Sequence, residues 1–171
     1  MQQTPGGTVP ETAEMIEKRV GLAQREHDRA DRSSAALFPA VANFAVEALK
    51  AAALVNGGSA AAMLAFIGTG RQPVTLDTIL GLKLFGVGLL IAAAASGFAY
   101  LAQFSYVVAM QKLTYTWDHP FVVETPASKW ANRAAVAFHL VGVACVAVAY
   151  GCAVAGLLYV AGGLVPLPAK V

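Results

Sequence analysis

From Leu84 to Met110 the chain carries no Asp, Glu, Lys or Arg, and the same holds from Ala134 to Ala169. At 1.5 Å per residue the first of these runs makes about 40 Å of helix, more than the ~30 Å hydrocarbon layer of a bilayer. A third run, Ala51–Gly68, is also uncharged. With Ala45–Lys50 as an end whose lysine snorkels to the interface, it reaches ~36 Å. Backbone inside lipid must satisfy its own hydrogen bonds, so runs of this kind fold as helices. The expected fold is therefore an all-α membrane protein with three transmembrane helices, over about 45–68, 82–110 and 134–161. The 134–169 region is too short for two crossings, which need about 40 apolar residues plus a turn.

Charge is concentrated elsewhere. The composition is 57% hydrophobic and 13% charged, against about 25% charged in a soluble domain. Half of the charged residues lie between Glu11 and Arg32. There Ile16, Val20, Ala23, His27 and Ala30 recur at steps of four and three, a narrow apolar stripe on a helix. Glu14–Lys18, Asp28–Arg32 and Glu26–Arg29 pair along the polar face. Thr8 followed by Glu11 fits a capping box, with Pro10 in the first turn. The reading is a flexible tail over 1–10, a cytoplasmic amphipathic helix over 11–34, a three-helix transmembrane domain over 35–165 and a tail over 166–171. Pro39 is placed to kink or restart a helix within a transition zone at 35–50. No cleavable signal peptide is expected from MQQTPGGTVPETAEM, which lacks a basic region followed by an apolar one.

Loop charges orient the spans. Lys18, Arg19, Arg25, Arg29, Arg32, Lys112, Lys129 and Arg133 fall on one side; Arg71, Lys83 and Lys170 fall on the other. The positive-inside rule then puts the N-terminus in the cytoplasm and the C-terminus outside, in an inner membrane. Trp117 and Trp130 flank one connection as an interfacial belt would. Thr75 or Asp77 is expected to cap the second helix, and Thr125-Pro126 to open the third. Asp118-His119-Pro120 reads as turn chemistry.

Asn56, Gly57 and Gly58 interrupt the first span. Two glycines weaken a helix by about 1 kcal/mol each relative to Ala, so close packing is expected to offset them. Ala53, Gly57, Ala61 and Ala65 make a small-residue ridge at steps of four. Ala93 and Gly97 make a shorter one, and Cys145, Ala149, Cys152 and Gly156 a third; such ridges let helix backbones approach. Asn56 is then an interhelical hydrogen-bonding group. The two cysteines read as packing residues.

Motifs for nucleotide binding, zinc hydrolysis or a nucleophile elbow are missing, so the expectation is a non-enzyme with no cofactor and no metal. A net charge of +2 with interleaved signs points to no nucleic-acid partner. One polar group stands out: Glu47 and Lys50 on the first span, Ser96, Tyr100 and Gln103 on the second, and His139 on the third, which shares a face with Tyr150. Ionisable groups inside a membrane mark ion or proton sites, so this is a possible polar or ion site. The partners expected are the lipid bilayer and either further copies of the chain or other membrane subunits. The functional expectation is an oligomeric or accessory structural subunit of a membrane complex; the alternative is a homo-oligomeric pore gated through its cytoplasmic helix.

Overall fold

A computed structural model describes residues 11–70 and 73–164; within its first helix the side chains of 33–38, 40, 41 and 44 are not described. The expected tails at 1–10 and 166–171, the Thr8 capping box, and Arg71 and Lys170 of the charge count lie outside the described residues. The architecture is three long helices and a small hairpin: α1 (Ala13–Gly68), α2 (Leu76–Gln111), β1 (Leu113–Tyr115), β2 (Val122–Glu124) and α3 (Pro126–Gly163). Three segments, Ala45–Gly68, Leu76–Gln111 and Pro126–Gly163, are long and apolar enough to cross a membrane.

Each helix begins on a threonine cap. Thr12, Thr75 and Thr125 accept from the backbone N–H of Met15, Thr78 and Ser128, satisfying a donor that a helix start leaves free. Helix α1 opens at Ala13, so Glu11 precedes it rather than forming its first turn.

The expected N-terminal helix does precede the three spans, but helix α1 joins it to the first span without a break. It is one 56-residue helix that runs through Pro39. A proline inside a helix removes one backbone bond and costs about 3 kcal/mol, and Pro39 stands exposed on a helix that continues past it. The Ala-rich flanks of Pro39 favour continuation, since Ala is the best helix former. The N-terminal arm and the first span are therefore one continuous helix.

Helices α2 and α3 make the most extensive contact in the molecule, and α1 leans on them more lightly. The α2–α3 seam is written in steps of seven. On α2, Gly81, Gly88, Ala95, Ala102 and Ala109 are buried; on α3, Ser128, Ala135, Gly142, Ala149, Gly156 and Gly163 are buried. A seven-residue repeat keeps one stripe facing its partner along a left-handed supercoil. Small residues at those positions bring the backbones together. A Cβ added to Gly81 would lie 2.8 Å from the Gly156 carbonyl oxygen and 2.6 Å from Val160 Cγ2. One added to Gly163 would lie 2.6 Å from Thr75 Oγ1. At the other end Ser128 Oγ donates to the Ala109 carbonyl at 2.8 Å. Glycine is needed at these crossings because no side chain fits between the two backbones.

The connection between α2 and α3, with Asp118-His119-Pro120 in its turn, is a β-hairpin. Leu113 pairs with Glu124, Thr114 with Val123 and Tyr115 with Val122. Thr116 closes the turn: its N–H donates to Phe121 O, and its one hydroxyl proton is shared between Asp118 O and Pro120 O. The His119–Pro120 peptide is cis.

Candidate functional sites

Three polar features stand out against this apolar scaffold: one in the core, one in a groove and one on the arm.

In the core, Asn56 is fully buried. Its Nδ2 donates to Ala52 O, one turn back on α1, and to Ala149 O on α3, both at 3.0 Å. Its Oδ1 rests on α2. A Cβ on Gly88 would stand 2.1 Å from that oxygen, so the hydrogen in the Cβ position of Gly88 points at it. This is a Cα–H···O contact, weaker than an N–H bond. Among the described residues Oδ1 meets no N–H or O–H donor. One amide thus touches all three helices beside the buried cluster of Ala52, Ala92 and Ala149.

The neighbouring positions are arranged differently from Asn56. Gly57 faces the Leu89 side chain, and a Cβ there would make ordinary contact at 3.5 Å; Gly58 faces open space. Ala53 packs against the buried cluster, whereas Ala61 and Ala65 are exposed. Ala93 and Gly97 point outward from α2, and Gly97 has nothing within 4 Å of an added Cβ. On α3, Ala149 and Gly156 sit in the seam, with the free thiols of Cys145 and Cys152 half-buried beside it.

The polar residues of the spans are drawn only partly together. A groove of about 450 Å³ runs between α1 and α2, with Ala45, Leu49 and Ala99 among its walls and Lys50, Ser96, Tyr100 and Gln103 as its polar members. Ser96 donates to Ala92 O at 3.3 Å on its own helix. Glu47 accepts from Lys50 Nζ at 2.9 Å, and both side chains are mostly exposed. His139 and Tyr150 are exposed on α3 and do not line the groove. Among the described residues, no three His, Cys, Asp or Glu side chains converge as a metal site would require.

The third feature was not anticipated as a site. The hairpin lies against the N-terminal arm of α1. His27 Nε2 is 3.1 Å from Thr116 O and 2.9 Å from Phe121 O. Two carbonyl partners require this nitrogen to carry the proton. The imidazole also meets the edges of Tyr115 and Trp117, at centroid distances of 4.9 and 5.4 Å. Ala23, one turn away, is fully buried. Arg19 holds the turn through Trp117 O and the Asp118 carboxylate, and Glu11 grips the same guanidinium with both oxygens. Tyr115 donates its hydroxyl to Asp31 Oδ1 at 2.9 Å. That hydrogen bond to a carboxylate, with burial and the carboxylate's charge adding to it, holds the phenol pKa above its ordinary value. A histidine within the apolar stripe Ile16–Val20–Ala23–His27–Ala30 was the available signal. The hairpin covers the middle of that stripe and leaves Ile16 and Val20 exposed.

The chain matches no known protein family, no curated protein and no solved structure.

Proposed function

We propose that the chain is a non-enzymatic structural or accessory subunit of an inner-membrane assembly, formed with further copies of itself or with other membrane proteins. The observation that carries this reading is packing surface the chain does not use. Ala61, Ala65, Ala93 and Gly97 face outward beside large exposed side chains such as Leu54, Leu64 and Leu90. Small-residue faces of this kind let a second helix approach closely. The arm and hairpin add an outward platform with Trp117 exposed upon it. The positive-inside rule supports a cytoplasmic position for that platform, because Lys18, Arg19, Arg25, Arg29 and Arg32 lie on the arm, and Lys112, Lys129 and Arg133 at the ends of α2 and α3 beside the hairpin.

A pore is the second reading, and one observation favours it. Tyr100 and Ser96 point away from the chain's own core, as channel-lining residues of a ring of α2 helices would. Native mass measurement after extraction in mild detergent separates the two. Copies of the chain alone, or unrelated subunits bound in fixed ratio, support the subunit reading. A symmetric ring whose liposome conductance falls with Gln103→Leu would replace it with the pore. A chain that stays monomeric with nothing bound at physiological density would end both. Glu47→Ala combined with His139→Ala tests the polar residues directly: ion or proton flux unchanged from the parent chain removes a transport role for them.

A further inference from the structure

Glu47 and Lys50 form an ion pair on the outside of α1, with side chains 71% and 62% exposed. Packing sets their depth. Asn56 bonds Ala149 on α3 and rests on Gly88 of α2, and Ala52 meets Ala92 and Ala149 in the buried cluster. Lys50 stands just below Ala52 and shares a groove with Ser96 of α2. Ser96 lies inside the charge-free run Leu84–Met110. Wherever a ~30 Å hydrocarbon layer sits along that run, the level of Ser96 is about 9 Å or more from either edge. The lysine expected to snorkel at a span end is therefore drawn in beside the apolar stretches of α2 and α3. Charged side chains at such depth are costly, and they face protein or a water-filled cavity rather than lipid. Among the described residues, the chain leaves this pair largely uncovered.

The charges describe what covers them. Lys50 spends one of its three donors on Glu47 and keeps two, while the carboxylate keeps acceptor sites. A covering surface at this depth needs an acceptor for Lys50 and a donor for Glu47. A second copy in the same orientation brings both, because a two-fold contact is self-complementary. Three helix residues rise about 4.5 Å, a height that a lysine side chain spans. The face beyond the pair is shaped for close approach. Leu54, Gly58 and Ala61 continue it at steps of four and three, all exposed, and an added Cβ on Gly58 would meet nothing within 4 Å. We propose that α1 packs along this face against α1 of a second copy, about a two-fold axis normal to the membrane. Lys50 then bonds the partner's Glu47, and Glu47 the partner's Lys50. The inference rests on the subunit reading and narrows it to self-association through α1.

The test uses the full-length chain in liposomes, with Cys145→Ala and Cys152→Ala as background and copper phenanthroline as oxidant. Leu54→Cys should cross-link to a dimer, whereas Leu90→Cys, equally exposed but on α2, should not. Gly58→Leu added to Leu54→Cys should abolish the cross-link while helix content and the thermal midpoint stay as in the parent. The charges are tested by mixing a chain carrying Glu47→Lys with one carrying Lys50→Glu. Native mass spectrometry should find the mixed dimer favoured over either like pair by about tenfold, the size of one charge-assisted hydrogen bond. Random mixing of the two chains overturns the proposal, as does Leu54→Cys cross-linking no better than Leu90→Cys. Labelling of Leu54→Cys by a membrane-impermeant maleimide would put the face against water and overturn it equally. Unrelated subunits bound in fixed ratio, with no cross-link at Leu54→Cys, would sink the proposal and leave the subunit reading standing. A monomer with nothing bound would end both.

Discussion

Where α2 meets α3, nearly everything is shape; where α1 meets the hairpin, nearly everything is directed bonding. The seam runs on glycines and alanines every seven residues, with threonine and serine hydroxyls at its ends. The arm contact runs on an imidazole, a guanidinium, a phenol and three carboxylates. The two contacts follow from their surroundings. Between helices in lipid there is no hydrophobic drive, so association comes from close van der Waals approach. Outside the bilayer, water competes for every polar group, and an ion pair between exposed side chains is worth only about 0–1 kcal/mol. The arm contact therefore gathers several such bonds around one buried point, Ala23, one turn from His27.

If the core depends on close approach of the helices around Asn56, a single methyl group there should disturb it. Gly88→Ala puts a carbon against the Asn56 amide and should cost about 1–3 kcal/mol, as overpacking does. Gly57→Ala, in the facing stretch of α1, should be neutral or stabilise the helix by up to about 1 kcal/mol. Thermal unfolding in detergent reads both, and equal effects would dissolve the distinction between the two glycines. Asn56→Leu comes next. It removes the bridge to Ala149 while keeping the branched outline of the side chain, and at least about 0.6–2 kcal/mol should go with it.

The arm contact should give way at lower cost and over a smaller region. His27→Ala strips the bond to both strand-end carbonyls and should raise hydrogen exchange across 113–124 and 16–30, leaving α2 and α3 protected. Global loss of protection would mean that the two contacts are one cooperative unit. Arg19→Gln should change stability by less than about 1 kcal/mol, and that difference should shrink further in high salt. The smallest effect expected is on pH response. The Tyr115 phenol has its folded pKa raised by Asp31. Its contribution is therefore complete below the unfolded value of about 10 and is lost as pH rises through the folded value. Hairpin protection should fall in that alkaline window, and Tyr115→Phe should flatten the response.

The spans were legible because their charge-free lengths leave no other fold open to them. The faces were harder to read. On α1 the step-of-four ridge Ala53–Gly57–Ala61–Ala65 lies about one residue, or 100°, around the helix from the buried Ala52 and Asn56. Alanine is so frequent that composition alone does not choose between two such faces. The polar residue was the better guide, because a buried amide must find partners and so marks the inward side. The step-of-seven pattern from Gly81 to Ala109 and from Ser128 to Gly163 is visible in the residues themselves; a search for steps of four passes over it. The continuity of α1 through Pro39 was not readable, since the same proline kinks one helix and is tolerated in another. Nor was the hairpin, whose turn lacks the Asn-Gly or Asp-Gly pair that usually announces one.

Were α1, helical from Ala13 to Gly68, to lean as a stiff rod about the buried Asn56, that contact would be its fulcrum. From there to Ala13 the shaft is roughly 65 Å long at 1.5 Å per residue. A lean of about 10° at the fulcrum would sweep the tip sideways by roughly 11 Å on that geometry. A small displacement in the lipid is thereby magnified on the far side of the headgroups, and the hairpin, gripping the shaft at Arg19 and His27, is the stay that resists it.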